Sequence, residues 1–105
     1  MTVRMKAGDT TPSAEVQLTD ADGTGVDLDE VDEVLFELQD RHGDPVFSKE
    51  ADITDDITGR VEYNWDAEDT ERSGDFRGQF VVVYTDGNRL STPTRGWIDV
   101  FIERR

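Results

Sequence analysis

Between Gly59 and Gly87 the chain reads GRVEYNWDAEDTERSGDFRGQFVVVYTDG. Apolar residues recur there at every second position, in two runs. Val61, Tyr63 and Trp65 form the first, and Phe76, Phe80, Val82 and Tyr84 the second. Gly78 falls on the face of the second run, where a neighbouring side chain needs room. This period belongs to strands with one buried face, and Asp86-Gly87 is a hairpin-turn signal. The same alternation occurs at Ala14, Val16 and Leu18, at Val34, Phe36 and Leu38, and at Ile98, Val100 and Ile102. Val3 to Lys6 predicts a first edge strand. Val46 to Lys49 predicts a short strand after the turn at Arg41–Pro45. The Asp20–Gly25 segment reads as a turn, and Val26 to Glu33 as a helical turn or a loop. Asp52 to Thr58 reads as a connection, with Ile53 and Ile57 anchored on the core. No segment sustains helical spacing.

About seven short strands with turns every 8–12 residues predict an all-β fold, an immunoglobulin-like antiparallel β-sandwich. A small closed barrel is the second choice. Residues 1–105 form one domain, large enough to bury a core without covalent staples.

On a half-buried strand the residues out of phase with the core should be polar. They are polar along residues 14–19 and 60–65, but not at Leu35, at Val81 and Val83, or at Trp97 and Phe101. These positions lie on the third, sixth and seventh strands in chain order, which are neighbours in one sheet of the immunoglobulin arrangement. The expectation is an apolar patch on the outer face of that sheet, the kind of feature that marks an interface.

Charge changes the picture further. The chain carries 25 acidic and 11 basic residues, a net charge of −14. Asp outnumbers Glu sixteen to nine, and Arg outnumbers Lys nine to two. The acids are spread along the chain, so they do not form a disordered tail. Such self-repulsion destabilises a compact state in dilute buffer, and halophiles exploit this balance. In molar salt the Debye length falls to about 3 Å and screens most of it. A halophilic origin is therefore expected, and direct binding to nucleic acid or anionic membrane is not. The opening segment MTVRMKAGDTTP has no apolar core of a secretory signal. No apolar run approaches the ~20 residues that span a bilayer.

Candidate chemistry is sparse. There is no Cys, which removes disulfides, thiolate metal sites and a Cys nucleophile. Asp20, Asp22 and Gly25 fit the opening of a calcium loop, but Val31 stands where the bidentate Glu is required. A hairpin turn is the better reading. His42 is the single His and sits in a turn sequence, where zinc would have carboxylates alone as further ligands. No nucleophile-elbow context surrounds any Ser, and no phosphate-cradling glycine loop is present. Tyr63 and Trp65 could stack a sugar or base, yet their phase is that of the core. The expectation is a non-enzyme with no catalytic, cofactor or metal residues and no small-molecule substrate.

The motifs GD-T-x-P-x-A-E-V-x-L-T-D-A-D-G at 8–23, V-x-Y-x-W-x-A-E-D-T at 61–70 and G-x-F-x-x-x-F at 74–80 carry a resemblance. With Asp86-Gly87, Pro93 and G-W-I-x-V at 96–100, the chain resembles the immunoglobulin-like N-terminal domain of phage baseplate upper proteins. One departure is Phe76, where the pattern often has the Tyr of a tyrosine corner. The resemblance implies a structural component of a halophilic tailed-virus particle, of baseplate, tail or capsid-decoration type. It would be assembled in the host cytoplasm and held by other virion proteins or further copies of itself, with interface residues Leu35, Val81, Val83, Trp97 and Phe101. The alternative is a cell-surface or secreted immunoglobulin-like binding module. A third possibility, an acidic DNA mimic, requires carboxylates in ordered rows on one face.

Overall fold

The alternating segments become strands, and two weakly patterned segments join them. The structure, a computed structural model, describes residues 2–11, 13–19, 28, 31–92 and 97–104. Among these are nine strands: β1 (Thr2–Lys6), β2 (Ala14–Gln17), β3 (Val31–Asp40), β4 (Pro45–Glu50), β5 (Asp52–Asp55), β6 (Arg60–Tyr63), β7 (Gly74–Tyr84), β8 (Arg89–Thr92) and β9 (Ile98–Glu103). One 3-10 turn, Ala67–Thr70, separates β6 from β7. The strands form two sheets, one ordered β1-β9-β7-β3-β4 with β8 also paired to β7, the other ordered β2-β6-β5. Their inner faces meet in an immunoglobulin-like β-sandwich.

Three features differ from the sequence reading. First, β1 pairs with β9 in parallel, Val3 beside Val100 and Met5 beside Ile102, so the sandwich is not wholly antiparallel. Second, the 46–49 strand belongs to the larger sheet beside β3, and Asp52–Asp55 is itself a strand in the smaller one. The chain changes sheets at the buried Ala51, whose N–H donates to the Val34 carbonyl at 2.8 Å. Third, Ile53 and Ile57 do not anchor on the core: they are 40% and 79% exposed. Ile53 lies beside Val61, but β5 is the edge of its sheet and among the described residues no strand pairs with it on its other side. Ile57 sits at the tip of the β5–β6 turn. The Asp55 carboxylate accepts from Ile57 N at 3.0 Å and Thr58 N at 3.2 Å, and Gly59 N donates to the Asp55 carbonyl at 3.1 Å. Gly59 takes φ +80°, where a side chain would be strained.

The core is built around Phe36. Its ring stacks on Tyr63 at 4.8 Å between centroids and meets the edge of Trp65 at 5.4 Å, joining the two sheets. Phe80 packs beside it at 5.0 Å from the neighbouring strand of its own sheet. Full burial of each such side chain stabilises by about 1.5–3 kcal/mol. Gly78 leaves the room expected of it, and the side chain that uses the room is Phe36. Leu28 is buried, and β3 starts at Val31, within the segment read as loop or helical turn. The Asp20–Gly25 turn, and Pro93 and Gly96 of the motif pattern, lie outside the described residues.

Candidate docking face

β3 and β7 are paired so that Leu35 stands directly opposite Val81, and Glu33 opposite Val83. Their in-phase neighbours Val34, Phe36, Phe80 and Val82 fill the core, which turns Leu35, Val81 and Val83 to the outer face of the larger sheet. Phe101 lies on the same face of β9, out of phase with the buried Ile98, Val100 and Ile102. Trp97 immediately precedes that strand. None of these five side chains belongs to the core cluster or packs against it.

Exposure separates them. Leu35, Val83, Trp97 and Phe101 are partly buried. Val81 is a correction: at 4% exposed it is covered by its neighbours on the outer face and offers little area of its own. The Arg4 guanidinium lies 4.7 Å from the centre of the Phe101 ring, a cation–π contact worth about 0.5–1 kcal/mol at an exposed site. Arg89 stands opposite Val83 on β8, and Arg77 opposite Asp99 on β9. Gln79 donates to Glu37 at 3.2 Å across β3 and β7. The face is thus mixed: Leu35, Val81 and Val83 form an apolar strip at one end, bordered by Glu33, Glu50 and Arg89, while Phe101 lies apart beside Arg4 and Asp75, with Arg77 and Asp99 between.

At the other end of β7 a buried charge holds the corner. Asp69, in the 3-10 turn, is 6% exposed. Lys49 from β4 donates to its Oδ1 at 2.6 Å, Tyr63 donates to Oδ2, and Asp66 N donates to Oδ2 at 2.9 Å. Burial alone would push the Asp69 carboxyl up. The hydrogen bonds from Lys49 and Tyr63 outweigh it and hold the group below its ordinary value. The same contact with Asp69 raises Lys49 against its own desolvation. Tyr63 is pushed well up, first by burial and then by its bond to Asp69.

Thr70, fully buried, donates to the Asp9 carbonyl at 2.8 Å and accepts from Gly8 N at 3.2 Å. Asp69 and Thr70 therefore do together what a tyrosine corner would do, and Phe76 is free to be core. Since both Asp69 oxygens are already engaged, its role is to fix the corner.

This cluster escaped the sequence reading because burial singles out one carboxylate among 25, and burial is not visible in composition. One signal was available: Asp66 and Asp69, three apart after Trp65, have the spacing of reciprocal capping. Tyr63 and Trp65 are core residues, 2% and 3% exposed. His42 is exposed in the β3–β4 turn, its N–H donating to Asp40 Oδ1 at 2.8 Å. Among the described residues no group of three or more His, Asp or Glu is arranged to hold a metal ion. Asp20 and Asp22 lie outside them.

No protein-family model matches the chain, and no curated protein does. Among solved structures it is similar to CopC from Methylosinus trichosporium OB3b, with a TM-score of 0.56 and 16% identity over 98% of this chain and 84% of that one. At that identity the likeness concerns the β-sandwich itself.

Proposed function

We propose that this protein is a non-enzymatic structural component of a halophilic tailed-virus particle, docking through the outer face of its larger sheet. The observation that carries the docking role is the set of outward apolar residues, Leu35, Val83, Trp97 and Phe101, that the core does not use. A patch of this kind on an acidic, salt-adapted surface is what an assembly protein needs: apolar contact survives molar salt, whereas exposed charge pairs are screened. The viral context rests on the resemblance of the motifs at 8–23, 61–70 and 74–80 to the baseplate upper-protein domain.

Two of the sheet edges, β4 and β5, favour docking by a face over added strands. β4 opens on Pro45 and is bulged near Gln39, and β5 is a four-residue strand with its own irregularity. Short, bulged or proline-bearing edges resist strand addition.

Mass spectrometry of purified particles from a host carrying this gene tests the reading. The chain is expected there in stoichiometric copy number, and a Val83→Asp form is expected to be excluded. Absence of the wild-type chain from particles overturns it.

A further inference from the structure

The β4 and β5 edges are blunted, but β1 is not. It ends the larger sheet and pairs with β9 in unbroken register, from Thr2 beside Asp99 to Lys6 beside Glu103, with no proline and no bulge. Successive residues of a strand turn their N–H and C=O groups to opposite sides. Ala7 N donates to the Glu103 carbonyl at 2.8 Å, so Val3, Met5 and Ala7 face β9, and Thr2, Arg4 and Lys6 face the open side. Asp9 closes one end of that side: Lys6 N donates to its Oδ2 at 3.1 Å, and Asp9 N donates to the Lys6 carbonyl at 3.0 Å. The Thr70 carbonyl holds the intervening Gly8 N at 3.0 Å. The backbone groups of Thr2 and Arg4 lie beyond this closure, and among the described residues no strand runs alongside them. Val3 and Met5 point inward, 2% and 6% exposed, whereas Thr2, Arg4 and Lys6 are exposed. β1 therefore carries two cations and no acid, in a chain of net charge −14.

We propose that the open side of β1 takes an added strand from a partner protein, a strand in which acidic residues alternate with apolar ones. Its backbone completes the hydrogen bonds left by Thr2 and Arg4, the general mode of recognition by strand addition. Its acidic side chains stand beside Arg4 and Lys6 on the outer face, and its apolar ones continue the inner row of Val3 and Met5. Opposite charges on neighbouring strands stabilise a sheet, and like charges oppose it. A second copy of this chain offering its own β1 sets Arg4 and Lys6 against their counterparts. The cations that admit an acidic strand thus turn such a copy away. The contact uses a sheet edge, and it does not depend on the reading of the outer face as a docking surface.

The test uses the purified full chain at the lowest KCl concentration that keeps it folded, because molar salt screens the charge contrast. Two short synthetic peptides are the probes, one alternating valine with glutamate, the other valine with lysine. Amide hydrogen exchange read by NMR is expected to show Met5 protected throughout and Arg4 exchanging freely until the glutamate peptide is added. The lysine peptide is expected to bind about tenfold more weakly. Arg4→Pro removes the outward N–H without touching the β9 ladder. It is expected to melt as a folded protein and to lose peptide binding; if it does not fold, Thr2→Pro takes its place. Arg4→Glu combined with Lys6→Glu is expected to reverse the preference between the peptides. Failure of the glutamate peptide to bind, equal binding of the two peptides, or protection that arises on another strand overturns the proposal. So does Arg4 protection that rises with protein concentration in the absence of peptide, which assigns the edge to a second copy.

Discussion

A Cβ placed on Gly78 would lie 2.6 Å from Cζ of Phe36, on the adjacent strand. The glycine is where the ring of the central aromatic residue passes, and the obstruction is a packed ring that cannot swing away. Gly78→Ala is expected to cost about 1–3 kcal/mol, the usual penalty of overpacking. Urea denaturation would read this as a lower midpoint at unchanged slope. Phe36→Leu should make the alanine nearly neutral, and a double-mutant cycle should show coupling above about 0.5 kcal/mol.

The Tyr63–Asp69–Lys49 corner gives stability limits at both ends of the pH scale. Asp69 titrates below its ordinary 3.8 when folded, so its contribution is complete above that pH and is lost as pH falls through the lowered value. Lys49 and Tyr63 titrate above their ordinary 10.5 and 10.0, so their contributions are complete below about pH 10 and are lost as pH rises beyond it. Asp69→Ala leaves the Tyr63 hydroxyl and Asp66 N–H without their acceptor and is expected to cost about 1–3 kcal/mol. Melting temperature against pH should lose its acid-limb dependence on this group in the variant. An unchanged acid limb would show that Asp69 does not set it.

Substitutions on the outer face should sort by exposure. Val83→Asp, partly exposed, is expected to stay folded with a change within about 1 kcal/mol. Val81→Asp, at a 4% exposed position, buries a charge and is expected to lose several kcal/mol. Equal losses at the two sites, measured by chemical denaturation, would contradict the geometry described for the face.

Like charges directly opposite one another destabilise a sheet, and the row Glu15–Glu62–Asp52 places three together. Raising salt from dilute buffer to molar KCl is expected to restore or sharpen the β-sheet circular dichroism signal. Relief of about 2 kcal/mol of repulsion would lift the melting temperature by roughly 8–16 °C in a chain of this size. Glu62→Gln should make the protein less salt-dependent. A melting temperature indifferent to salt would remove the halophilic reading.

Legibility followed alternation. β3 and β7 have two-residue periods on long strands, and their inner and outer phases, including the space at Gly78, could be read directly. β5 and β8 could not: DITD and RLST each carry one apolar residue, because an edge or a short strand has too few neighbours to demand a pattern. Parallel pairing of β1 with β9 joins residues almost a hundred positions apart. Nothing local encodes direction in such a pair, since side-chain alternation is identical either way. The buried carboxylate at Asp69 depends on Lys49 and Tyr63 arriving from separate strands, and only assembly brings them together.

Because β1 runs alongside β9 in the same direction, Thr2 lies beside Asp99 and Lys6 beside Glu103. The polypeptide enters this edge of the sandwich at one end and leaves it at the other. Anything joined before Thr2 and anything joined after Glu103 therefore leaves this edge in opposite directions. Copies strung together by short linkers would lie nose to tail in a line, and a fluorophore and a quencher placed on the two sides would report the full length of the edge.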